Sequence, residues 1–201
     1  ANAEAYFDRH RRAKRARRGL PARLARSEAA RAHLQQLAAD LALAEDRGAI
    51  DAVAGMLASS GLTGRTPHKV RAGVDKGPRR LVTHDGFVVW VGANSRQNDT
   101  VTFSRGARGD LWLHVLGAPG SHVVIKAAGR PVPQEVQLAA AAVAAWYSKA
   151  RGSTRVDVAV TDVGRVKRAP GGFPGLVSYS HASTLSVRPA PPDEAFARID
   201  S

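Results

Sequence analysis

Asp110, Trp112, His114, His122 and Lys126 all fall within GDLWLHVLGAPGSHVVIK, the stretch from Gly109 to Lys126. Three chemistries fit such a set. Asp110, His114 and His122 are the donor types of a zinc or manganese site. The same groups could activate water in a hydrolase. An indole that stacks on bases, beside imidazole and ammonium groups that meet phosphate, equips an RNA-binding surface. The spacing matches no dedicated metal motif, and Lys126 would oppose a cation. Neither a G-x-S-x-G turn nor paired carboxylates accompany the histidines, so the RNA surface uses the most of the set. The bland alternative is structural, with Asp110 and His114 bonded to each other or to a loop and Trp112 packed in the core.

Alternation along a strand sharpens the choice. In DLWLHV, Leu111, Leu113 and Val115 share one face and Asp110, Trp112 and His114 the other. In HVVIK, Val123 and Ile125 oppose His122, Val124 and Lys126. With the apolar sets turned towards a helix, the remaining face presents the polar groups to a partner.

Three further segments carry candidate contacts. GRVKRAPGGFPGLVSYS places Arg165, Lys167 and Arg168 before a loop with Gly171, Gly172 and Gly175; glycine lets backbone N–H groups approach phosphate closely, and the cations neutralise it. A charged edge that protects a strand is the alternative. Arg9, Arg11, Arg12, Lys14, Arg15, Arg17 and Arg18 wrap a basic helix on most sides, which suits phosphate contact on a large RNA better than a membrane surface. GANSRQNDTVTF offers Asn94, Arg96, Gln97 and Asn98, able to read base edges or to build a turn.

Composition supports the same direction. The 201 residues carry a net charge of +13 and a pI near 11.2, a balance that suits a polyanionic partner. An Ala/Arg-rich background accounts for part of the excess, but the charge is clustered. Cysteine is absent, which excludes disulfides and thiolate chemistry. No apolar run reaches the roughly 18–20 residues of a membrane span. An Ala start and a lone Met56 suggest a piece of a longer protein.

The elements that must hold these groups suggest an α+β chain. Residues 1–61 form a helical hairpin or coiled-coil arm, broken near RGLP (Arg18–Pro21) because proline disfavours helix before it. Leu20, Leu24, Ala30, Leu34, Leu37 and Leu41 approximate one apolar stripe. Residues 62–80 form a basic, Gly/Pro-rich linker. Residues 81–189 form a mixed, mostly antiparallel sheet packed on the Ala-rich helix of PQEVQLAAAAVAAWYSKAR, with a hairpin about His84-Asp85-Gly86. Residues 190–201 form a flexible tail.

VGANSRQNDTVTF, DLWLHVLGAPGSHVVI, AAWYSKAR and VKRAPGGFPGLVSY occur in this order. Together they resemble the NFACT-R domain of the RqcH, NEMF and fibronectin-binding-protein-A-like ribosome quality-control family, over roughly residues 82–189. NAEAYFDRHRRAKRA is similar to the start of that family's coiled-coil arm. The resemblance implies an RNA-binding module without a catalytic site or cofactor. Its partners would be large-subunit rRNA, tRNA and the family's N-terminal NFACT-N region, which has no counterpart here; the arm also permits coiled-coil self-association. It implies a cytoplasmic, non-membrane setting and a part in C-terminal alanine tailing by the full-length protein. The alternatives are a metal-dependent enzyme using Asp110, His114 and His122, or a surface fibronectin-binding adhesin.

Overall fold

A computed structural model describes residues 2–63 and 77–197. Most of residues 62–80, read as a basic linker, lies outside them. Helix α1 runs from Asn2 to Ala42 and α2 from Arg47 to Ser59. The expected break at RGLP does not occur, and α1 continues through Gly19 and Pro21. Proline removes one N–H and crowds one carbonyl, but this part of α1 is exposed throughout, so water can satisfy the carbonyl set free. The apolar stripe is also corrected. Leu37 is buried against Val53 and Met56 of α2, while Leu20, Leu24, Leu34 and Leu41 face solvent. The buried side of the last turns of α1 is instead largely polar, with His33, Gln36 and Asp40 on it.

The α+β body follows. Strands β1 (Arg79–Val82) and β2 (Val88–Val91) pair antiparallel around the expected turn, where Gly86 adopts φ 76°. A short helix α3 (Ser95–Thr100) passes into a π-helical turn at Val101–Arg105. Strands β3 (Leu111–Val115) and β4 (Val123–Lys126) form the hairpin of the Gly109–Lys126 stretch, and α4 spans Gln134–Trp146. Then come β5 (Val156–Asp162), β6 (Val166–Arg168), β7 (Val177–Tyr179), β8 (Ser183–Val187) and α5 (Pro192–Ala197). Six strands form one antiparallel sheet in the order β1-β2-β4-β3-β5-β8, and β6 and β7 pair separately.

Two cores lie on opposite faces of the sheet. On one, Val89, Leu113, Val115, Val123, Ile125, Val158 and Val160 meet the buried Val136–Ala145 side of α4. Alanine there keeps the helix backbone close to the strands. Residues 190–197, expected to be flexible, close this layer: Ala190 N–H donates to Ala142 O, and α5 buries Ala195. On the other face, Trp112 and Val124 are covered by Val101 and Val166, with Trp90, Phe103, Val177 and Tyr179 around them.

Candidate nucleic-acid interface

The register of the β3–β4 hairpin decides what its polar residues can do. Leu111 pairs with Ile125 and Leu113 with Val123, so Asp110 stands across from Lys126 and His114 across from His122. Asp110 and His114 are four residues apart, about 13 Å along an extended strand. The metal triad is therefore not assembled. Among the described residues, no group of three His, Cys, Asp or Glu comes together to hold a metal ion.

Each end of the hairpin is internally satisfied. The Asp110 carboxylate is 4% exposed; it accepts from Ala107 N at 2.8 Å and Ala127 N at 2.9 Å, and pairs with the Lys126 ammonium. Lys126 Nζ also donates to Arg105 O. At the other end, His122 Nδ1 lies 2.8 Å from Thr102 Oγ1. Trp112 stacks on His114 at 5.7 Å and meets His122 edge-on at 5.1 Å. The indole is 0% exposed, so it has no face to offer a base in this fold. The partner-facing reading of Trp112, Asp110 and His122 gives way to a second core, because the β6–β7 hairpin and the π-helical turn cover that side.

Asn94, Gln97 and Asn98 are buried as well, and they build a turn instead of reading base edges. Asn94 caps α3 by accepting from Gln97 N, and Gln97 Oε1 accepts from Ala93 N. Asn98 accepts from His122 N and donates to Gly120 O. Gly92 has to be glycine here, since a Cβ would fall on the Asn98 amide and backbone.

Gly120 is also where the arm attaches, a connection the sequence reading missed. Gln36 Nε2 donates to Gly120 O at 3.1 Å, and Gly120 N donates back to Gln36 Oε1 at 3.3 Å. One turn on, Asp40 Oδ2 accepts from Ser95 N and Ser95 Oγ. The signal was His33, Gln36 and Asp40 at helical spacing on one face of α1.

Burial holds both hairpin histidines neutral. It lowers His114 from its ordinary 6.5 to about 4. It lowers His122 well below 6.5, with the neighbouring His114 adding to the effect. His33 is lowered by burial too. Stability is therefore expected to fall as pH drops from about 6.5 towards 4. In that window the unfolded histidines bind protons that the folded ones refuse, at up to about 1.4 kcal/mol per pH unit for each group. Asp40 acts with the opposite sign: burial raises it above 3.8, so acidification through its window favours the folded carboxyl and softens the low end. Urea midpoints at pH 7 and pH 5 check this, and a midpoint that rises at pH 5 contradicts it.

The groups left at the surface are cations. Arg9, Arg11, Arg12, Lys14, Arg15, Arg17 and Arg18 are all exposed, and of these Arg11 alone has an ion-pair partner among the described residues, Asp8 at 2.7 Å. Lys167 is exposed on β6. Arg165 reaches His181 O, and Arg168 pairs with Asp99 and lies 4.2 Å over the Phe103 ring.

Comparison with known proteins matches residues 78–175 to the NFACT protein RNA binding domain. The solved C-terminal part of the fibronectin/fibrinogen-binding protein from Streptococcus suis superposes with a TM-score of 0.84 at 31% identity, covering 98% of this chain and 78% of that one. The chain belongs to the NFACT-R family. Curated relatives called Rqc2 homolog RqcH agree. The one from Streptococcus suis is 33% identical over 94% of the chain, and the one from Bacillus subtilis is 42% identical over 52% of it. The chain spans 34% of the former's length. The NFACT-R fold thus accounts for the ordered motifs, and the arm belongs to the similarity as well, since the solved structure covers it too. No helix among the described residues is long and apolar enough to cross a membrane.

Proposed function

We propose that this NFACT-R chain binds the RNA of the large ribosomal subunit, tRNA or both, as part of a ribosome quality-control factor acting in the cytoplasm. The full-length protein would support alanine tailing of stalled chains. One observation carries the reading: the first part of α1, residues 3–28, is exposed on every side and dense in arginine and lysine, of which Arg11 alone has an ion-pair partner among the described residues. At 1.5 Å per residue this is about 39 Å of cationic helix, long enough to follow a run of phosphates. In this proposal Arg9, Arg11, Arg12, Lys14, Arg15, Arg17 and Arg18, with Arg96, Arg165, Lys167 and Arg168, meet the RNA. Asn94, Gln97, Asn98, Asp110, Trp112, His114, His122 and Lys126 support the surface from within.

The test is co-sedimentation with purified large ribosomal subunits at two salt concentrations. Wild type is compared with a variant in which Arg9, Arg12, Arg15 and Arg18 are all replaced by Gln. Four lost phosphate contacts should flatten the dependence of log affinity on log salt by about 3. Equal binding of the two proteins at both salts would remove the arm from the interface.

A further inference from the structure

Between the arm and the sheet domain lies a groove of about 760 Å³, walled by α1, the end of α2, the first turn of α3 and the Pro170–Pro174 loop. Its volume is in the roughly 300–1,000 Å³ range of small-ligand sites. Among the described residues, Arg26 and Arg96 line it and no carboxylate does. Arg26 has no ion-pair partner among the described residues, and Arg96 makes a 3.5 Å contact to Ser59 Oγ. The nearby acid, Asp99, is already held by Arg168 and by Gly175 N.

The loop side of the groove also keeps a free donor among the described residues. Pro170 and Gly171 form a hydrogen-bonded turn that aims the Gly172 N–H at Ala169 O, whereas the Gly171 N–H donates to nothing among the described residues. Gly171 sits at φ 111°, and a Cβ there would come within 2.9 Å of Ala29 Cβ, so the loop backbone lies directly on α1. A free amide in such a loop suits an anion. His33 lies at the wall, 1% exposed, with its ring stacked on Phe173 at 4.5 Å and Nδ1 without a partner. An orphaned polar atom in a dry wall costs roughly 1–3 kcal/mol, and a ligand group able to hydrogen-bond it would remove that cost.

We propose that this groove holds one nucleotide of a single-stranded RNA segment. The phosphate lies among Arg26, Arg96 and the Gly171 amide, and the base lies against Phe173, with His33 stacked behind that ring. A duplex is excluded by the concave walls, whereas an unstacked nucleotide brings together the anion, the aromatic face and the hydrogen-bonding edge the groove provides for. The assignment rests on the RNA-binding reading above and adds a discrete site at the junction of arm and domain.

The experiment uses the isotope-labelled full chain, titrated with adenosine monophosphate and separately with a short single-stranded oligoribonucleotide. The amide shift is read at Gly171, and affinity is read at several salt concentrations. Wild type should show this amide moving with either probe. The Arg26→Gln/Arg96→Gln variant should lose the shifts, bind the oligonucleotide about tenfold more weakly and show a salt slope lower by about 1.4. The Arg9/Arg12/Arg15/Arg18→Gln variant should keep the monophosphate shifts. If wild type binds RNA while the Gly171 amide stays still and the double variant matches it, the groove assignment is wrong and the general reading survives. If wild type binds no RNA at low salt, the general reading falls.

Discussion

Trp112→Ala is expected to cost the folded state about 3–5 kcal/mol, the range for deleting a buried aromatic side chain. The indole is the centre of the second core. It contacts His114, His122 and Tyr179 rings at 5.7, 5.1 and 5.0 Å, and it packs with Val101, Val124, Val163 and Val166. These neighbours come from β4, the π-helical turn, the turn before β6 and β6 itself, so the cavity would open where several elements meet. Trp112→Phe provides the discriminating comparison. The Trp112 Nε1–H is buried without an acceptor, so phenylalanine removes an unsatisfied donor while keeping most of the aromatic volume. Its cost should stay within about 1 kcal/mol. Urea midpoints measure both variants. RNA affinity of the folded Trp112→Phe protein should equal wild type. An alanine variant that loses less than about 1 kcal/mol of stability but binds RNA poorly would return Trp112 to the surface.

That contrast marks where the sequence could be read and where it could not. Strand alternation separated Leu113, Val115, Val123 and Ile125 correctly, because a hairpin with one apolar face must turn it towards the Ala-rich helix. It could not show that the other face is covered too. The cover comes from Val166, Val177 and Tyr179 on strands of three residues, too short for a period to register, and from Val101 and Phe103 in a π-helical turn. Asn94, Gln97 and Asn98 posed a different problem. An amide that can read a base edge can equally cap a helix or replace a backbone partner, and only the approach of Gly92 and Gly120 decides between them.

The arm erred for a third reason. Leu20, Leu24, Leu34, Leu37 and Leu41 have helical spacing, and spacing identifies a stripe without saying what it meets. The stripe that docks carries His33, Gln36 and Asp40, because its target is the backbone of Gly120 and Ser95. Groups that satisfy backbone are polar. Charge clustering, by contrast, was legible directly, since a run of arginines along one segment needs no tertiary context to be seen.

Asp110→Ala is the second large effect, expected at about 2–4 kcal/mol. The carboxylate ties two segments through three groups: Ala107 N before β3, and Ala127 N and the Lys126 side chain at the end of β4. Its removal leaves two backbone donors without an acceptor, each costing about 1–3 kcal/mol where water cannot reach. Breaking a buried ion pair from one side reaches 3–5 kcal/mol, but the Lys126 side chain is 29% exposed and can turn to solvent, which lowers the figure. The asymmetry makes the argument testable. Lys126→Ala leaves Asp110 its two amide donors and should cost about 1 kcal/mol, and the double variant should cost less than the sum of the singles. Equal costs for the two single changes would mean that the ion pair, not the amide clamp, holds this end of the hairpin. A metal or hydrolytic role would instead give Asp110→Ala a normal urea midpoint with an altered chemical activity. With the carboxylate closed in by Ala107, Ala127 and Lys126, the expected loss is in the fold.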